Sequence, residues 1–177
     1  DLVIGTIGNF TSTKGHRFMI AAAKELLNDI PNLKLMFVGD GGDKDAVVQQ
    51  VAKENLTERV VFTGFRNDVN ACMKAADVVV HPSVSEAFCQ VLIETMSVGT
   101  PIISPVVGGA KAVITDGVNG FLIPPADVES IKRAVLYLNN NRDRSKKIAL
   151  AGQESVRKTF TVEKMVDKQI AVYERLL

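Results

Sequence analysis

The sequence predicts an α/β domain: a doubly wound, Rossmann-like parallel sheet of about six strands, with helices on both faces and a helical carboxy-terminal tail. Three observations predict it. Short apolar runs alternate with stretches of helical period from Val3 to Ile123. Several of those runs are apolar throughout, as strands buried on both faces must be. In the last ~50 residues helical patterns follow one another with no strand between them.

The strands are read at Val3–Ile7, Leu33–Val38, Val60–Phe62, Val78–His81, Ile102–Ser104 and Gly120–Ile123. Helices are read between them at His16–Asn28, Lys44–Glu54, Val69–Ala75 and Ala87–Val98. The first is typical: Phe18, Met19, Ala22, Ala23, Leu26 and Leu27 recur at three- and four-residue spacing, and Asn28-Asp29-Ile30-Pro31 stops the run. Such alternation requires right-handed crossovers, which place helices on both faces. Val128–Leu138, Ser145–Thr159 and Val162–Leu177 form the tail.

The 177 residues suit one domain, 1–177. Lys plus Arg is 21 against 20 for Asp plus Glu, a net charge of +1, which argues against gripping nucleic acid or anionic membrane by bulk electrostatics. With 46% hydrophobic and 23% charged residues, the chain is not disordered. No stretch approaches the ~20 apolar residues of a membrane-spanning helix. Cys72 and Cys89 cannot build a disulfide framework and read as reduced thiols, which points to the cytoplasm. The chain starts at Asp1, without Met, directly in an apolar run, as expected of a piece cut from a longer protein.

A parallel sheet of this kind places its ligand outside the carboxyl ends of the strands, so the loops after them are the candidates. Gly8–Gly15 leads into a helix with free N–H groups and one cation, Lys14, which suits an anionic oxygen; it also reads as a plain turn. It is neither a P-loop nor the nicotinamide-binding glycine fingerprint, which disfavours a dehydrogenase-type domain. In Gly39–Asp45, Asp43 and Asp45 make an acidic-x-acidic triplet able to hold a hard cation, but they read better as a helix N-cap and a first-turn acid. Glu86 stands in a loop and Glu94 eight residues on, about 12 Å apart along one helix face if the helix reaches both. Two acceptors at that separation fit an elongated polyhydroxy ligand; the bland alternative pairs Glu94 with a basic neighbour and leaves Glu86 an exposed loop acid. His81 reads as a structural, hydrogen-bonded histidine and His16 as a weak phosphate candidate. Two histidines without partners at ligand spacing predict no zinc site. Cys89, near a helix start, is expected to be a reactive thiol of lowered pKa.

The E-x7-E pair in this setting resembles the donor-side motif of retaining glycosyltransferases of sequence family 4, which have the two-domain GT-B architecture. The resemblance extends in order through Lys14-Gly15-His16, Val38-Gly39-Asp40-Gly41, Phe62-Thr63-Gly64-Phe65, His81-Pro82-Ser83, Gly99-Thr100-Pro101, Gly108-Gly109 and Asp116–Pro125. It implies the carboxy-terminal, donor-binding domain, with the acceptor domain absent. It further implies that Lys14 and the backbone near Gly8 and Asn9 neutralise the donor diphosphate, and that Glu94 accepts from the ribose. Glu86 would contact the transferred sugar, and the N–H groups of Phe88, Cys89 and Gln90 would hold phosphate oxygens. Gly39 and the loop of Gly64, Phe65 and Arg66 would flank the nucleotide. The implied donor is a nucleoside-diphosphate sugar, UDP- or GDP-linked, used without metal or cofactor. The acceptor, a saccharide or lipid, and any membrane contact would belong to the other domain. The chain departs from the family at Asn9, where Arg is usual, at Ala87 and Cys89, where glycine is common, and at Lys111-Ala112. Arg17 is a candidate to replace the lost cation. The departures also suit a non-catalytic nucleotide- or phosphosugar-binding module of the same fold.

Overall fold

A computed structural model describes residues 1–176. Six parallel strands, β1 (Leu2–Ile7), β2 (Leu33–Val38), β3 (Val60–Gly64), β4 (Val78–Val80), β5 (Ile102–Pro105) and β6 (Phe121–Ile123), form one sheet in the order β3-β2-β1-β4-β5-β6. β1 pairs in full register with β2, from Leu2 opposite Leu33 to Ile7 opposite Val38. On its other side β1 pairs with β4. The strand order therefore reverses between β1 and β4, which is where such sheets open a crevice.

Alternation along each strand feeds two cores. Leu2 and Ile4 of β1, Leu35 and Phe37 of β2, and Val78 and Val80 of β4 point to one face. There they meet α1 (His16–Leu26), α2 (Lys44–Lys53) and α6 (Val128–Asn140) through residues such as Met19, Leu26, Val51 and Val135. Ile7, Val38, Val79 and Ile102 point to the other face, against α3 (Val69–Ala75), α4 (Gln90–Ser97), α5 (Ala110–Val113) and α7 (Arg142–Thr159) through Met73, Leu92, Met96 and Val156. The doubly wound prediction holds. A fully buried aliphatic side chain contributes about 1.5–3 kcal/mol, so these two layers carry the fold.

Several boundaries move. α1 ends at Leu26, two residues early, and α7 begins at Arg142 rather than Ser145. β4 stops at Val80, so His81 starts the loop. α5 and two 3-10 turns, Ser12–Lys14 and Thr57–Arg59, have too few residues to show a period. The Asp116–Gly120 stretch is structural: Asn119 Oδ1 accepts from the Thr115 N–H at 2.7 Å and Asp116 Oδ1 from the Leu122 N–H at 2.9 Å, fixing the entry to β6.

The tail's last helix, α8 (Val162–Glu174), buries none of its residues. Val162, Met165, Val166, Ile170 and Tyr173 are all exposed. At about 100° per residue they share one face of the helix. The predicted run to Leu177 ends outside the described residues at its last position. Among the described residues, no helix is long and apolar enough to cross a membrane.

Candidate functional site

The reversal point between β1 and β4 holds a cavity of about 470 Å³. The loop after β1 supplies Gly8, Asn9 and Lys14; the loop after β4 supplies His81 and Glu86 through Cys89; the first turns of α4 supply Gln90, Val91 and Glu94. Eight of the residues expected from the sequence thus line one space. Gly39, Gly64, Phe65 and Arg66 do not line it. Gly39 is still adjacent, since the Gly8 N–H donates to Val38 at 2.9 Å and the Gly39 N–H donates to Gly64 at 3.0 Å. Phe65 is 76% exposed just beyond β3, and Arg66 is held by both oxygens of Asp68 at 2.7 Å.

The two loops interlock through backbone. The Val84 N–H donates to the Thr13 carbonyl at 2.8 Å, and the Ser83 hydroxyl oxygen lies 2.9 Å from the same carbonyl. Gly15 has φ 70°, and a Cβ there would stand 2.0 Å from the Pro82 carbonyl oxygen. Only glycine allows both the left-handed turn and the approach. Gly108 is another such place: with φ +49°, its Cβ would meet the Glu86 backbone carbonyl oxygen at 2.3 Å. This explains the Gly108-Gly109 pair, whose turn also donates from the Gly109 N–H to Ala87 at 3.0 Å.

Glu86 is the electrostatic centre. Its Oε1 accepts from Lys14 Nζ at 2.5 Å and from the Ser83 hydroxyl at 2.6 Å, and pairs with His81 Nε2 at 3.0 Å. The bond from His81, followed by those from Lys14 and Ser83, outweighs burial and holds the carboxyl down at about 2. Among the described residues no group bonds its Oε2. The exposed-acid alternative for Glu86 is therefore overturned. So is the ion-paired alternative for Glu94, which has no salt-bridge partner among the described residues.

α4 begins at Gln90, not Ala87, so Glu86 lies in the loop and the estimated separation along one helix axis does not apply. Cys89, at the N-cap, takes φ 63° and ψ 60°, a left-handed conformation rare outside glycine. That turn leaves the N–H groups of Phe88, Cys89 and Gln90 without an acceptor among the described residues. The Cys89 thiol is buried, and desolvation, then the Glu86 charge, pushes it up to about 11. The expected lowered pKa is corrected accordingly: burial outweighs the helix end. Both cysteines are free.

Other expectations also change. Arg17 donates to the Ser12 carbonyl at 2.7 Å and lies over the Phe18 ring, away from the cavity. It does not replace the cation absent at Asn9. His16 is buried, stacked on Phe10 at 4.4 Å, and does not line the cavity. Asp43 occupies the N-cap position of α2 without a capping bond. Lys111 does not line the cavity. Conversely, sequence reasoning missed Ile7, Ala87 and Val91 as lining residues. It also missed that His81, Glu86 and Cys89 converge, with one ligand atom from each lying within 4.8 Å of the others.

The crevice at the strand reversal is thus lined by one lysine, two glutamates and residues 88–90. The profile of the glycosyl transferases group 1 family covers residues 1–155. The chain belongs to the group 1 glycosyl transferases. This family member is 32% identical over 177 residues to the 2-deoxystreptamine glucosyltransferase of Streptomyces kanamyceticus, covering 99% of this chain and 46% of the relative. It is 28% identical to the N-acetyl-alpha-D-glucosaminyl L-malate synthase of Bacillus anthracis, over 97% of this chain and 45% of that one. The chain spans about half the length of the curated relatives it matches. Among solved structures, Anabaena HepE superposes with a TM-score of 0.91 at 30% identity, over 100% of this chain and 49% of HepE. HepE was crystallised with UDP and with UDP-glucose. The C-terminal domain of the group 1 glycosyl transferase LpcC of Francisella tularensis superposes at 0.83 with 27% identity, over 91% of this chain and 87% of that domain.

Proposed function

We propose that this chain is the donor half of a retaining, nucleotide-sugar-dependent hexosyltransferase, and that its donor is UDP-linked. One observation carries the reading: Glu86 has one oxygen saturated by Lys14, His81 and Ser83 and the other without a partner among the described residues, in the cavity that residues 88–90 also line. A carboxylate held in this way can accept a hydroxyl of the transferred sugar without moving. Lys14 and the three N–H groups take the diphosphate, whose charge grows as the sugar–oxygen bond breaks. Glu94, solvent-exposed and without an ionic partner among the described residues, takes the ribose hydroxyls. Phe65, exposed beyond β3, stacks on the base. An oxocarbenium-like sugar forms, and the acceptor hydroxyl attacks from the face the nucleotide leaves.

In this reading Lys14 and the amides supply the positive charge, and no metal takes part in transfer. The acceptor saccharide or lipid is held by a second domain in the full-length protein, which acts in the cytoplasm or at its membrane face. The apolar face of α8 docks on that domain.

The test is calorimetric titration of the 177-residue chain with UDP, GDP and ADP, with and without EDTA, and transfer assays on the full-length protein with UDP-sugars. UDP binding that ignores EDTA, and transfer abolished by Glu86→Ala, is the expected result. UDP binding without transfer or hydrolysis in the full-length protein would instead make it a non-catalytic binding module.

A further inference from the structure

We propose that His81, Glu86 and Cys89 form an inhibitory site for a thiophilic divalent cation, Zn²⁺ foremost, an ion that the transfer reaction itself does not use. One ligand atom from each residue already lies within 4.8 Å of the other two. The set is one imidazole nitrogen, one carboxylate oxygen and one sulfur, which favours zinc over the hard cations magnesium and calcium. With bonds of about 2.0–2.3 Å, tetrahedral zinc holds its ligand atoms about 3.4–3.7 Å apart. Closing the triangle by about 1 Å is within reach of side-chain rotation.

The surroundings favour capture. His81 and Cys89 are 2% and 5% exposed, so little solvent competes on that side, while the cavity they line leaves a route in and room for a water as fourth ligand. Their backbones are fixed: the His81 N–H donates to Ile103 at 2.9 Å, and Cys89 caps α4. On binding, the thiol proton leaves to solvent, His81 gives up its Nε2 proton and takes one up at Nδ1, and the thiolate, imidazole and carboxylate lone pairs enter the metal's coordination sphere; no electron is transferred. Glu86 then exchanges its Lys14 bond at 2.5 Å for the metal. The carboxylate is no longer available to a sugar, and the added ion occupies the donor cavity. The site exists because this chain carries sulfur at position 89.

The inhibitory consequence rests on the donor reading above; the metal site does not. The experiment titrates Co²⁺ and then Zn²⁺ into the 177-residue chain under reducing, chelator-free conditions. Cobalt reports a thiolate ligand by its near-ultraviolet charge-transfer band, and a chromogenic chelator reports zinc affinity. One equivalent of metal with a thiolate band is expected, unchanged in Cys72→Ser. In Cys89→Gly, which suits the left-handed turn, the band should vanish and zinc affinity should fall by about tenfold or more. No thiolate band in the wild-type chain, or a band lost in Cys72→Ser and kept in Cys89→Gly, overturns the proposal. A second arm measures sugar transfer by the full-length protein with and without saturating zinc. A loss of about tenfold in the wild type, absent in Cys89→Gly, supports inhibition. If no sugar is transferred even without zinc, the donor reading fails while the cobalt band still decides the metal site.

Discussion

Lys14 Nζ lies 2.5 Å from Glu86 Oε1, so the proposed phosphate-binding cation is held by the proposed sugar-binding carboxylate. The bond joins loops 72 residues apart in sequence. A diphosphate entering the cavity competes with Glu86 for Lys14. Lys14→Ala should weaken UDP binding by about 1.5–3 kcal/mol, the usual worth of a hydrogen bond to a charged group. Glu86→Ala releases the lysine, so UDP should bind at least as tightly as in the wild type while transfer by the full-length protein is lost. Calorimetry on both variants checks this; equal weakening by the two would refute the division of labour.

Glu94 lines the cavity with no ionic partner among the described residues, which suits it to ribose hydroxyls. Glu94→Ala should lower UDP affinity by about 1–3 kcal/mol and leave inorganic pyrophosphate binding untouched. Parallel loss for both ligands would assign Glu94 to the phosphates instead.

Gly15 is the tightest crossing between the two loops. Gly15→Ala combines a left-handed φ of 70° with a Cβ 2.0 Å from the Pro82 oxygen. The substitution should destabilise the chain by about 2 kcal/mol or more. Urea unfolding of the variant measures it, and a midpoint equal to the wild type's would show that the loops part freely.

His16 sets a pH dependence. Both ring nitrogens are buried without a partner, and burial, with the nearby His81 and Lys14, lowers its pKa from 6.5 to about 4. The unfolded chain therefore takes up a proton that the folded chain refuses. Stability is full above about pH 6.5 and falls as pH drops toward 4, by a total on the order of 3 kcal/mol. Urea midpoints at pH 7.5, 6 and 5 should decline in the wild type, and His16→Leu should flatten that decline.

The sheet and its two helical layers were legible because short runs apolar throughout mark strands buried on both faces, while the longer helices show a period of 3.6. α5, four residues long, leaves none. The carboxylates, Lys14 and the glycines were legible as a spacing, since sheet topology returns every strand's carboxyl end to one edge. The fate of Cys89 was not. Its left-handed turn delays α4 by three residues, and beside it Gly108 meets the Glu86 carbonyl from a loop 22 positions away. Likewise, no local pattern reveals that His81 donates to Glu86, or that Arg17 folds back onto Ser12.

The interlocked backbone after β1 and β4 bears on engineering. Thr13 accepts from Val84, Gly15 admits Pro82, and Gly108 admits Glu86. A loop transplanted alone from a relative with another donor preference would arrive without its counterparts and lose those crossings. The exchangeable unit is the set of three loops, residues 8–15, 81–90 and 105–110, moved together. Chimeras built on that unit keep the chassis of sheet and helices, whereas single-loop grafts begin with a broken joint.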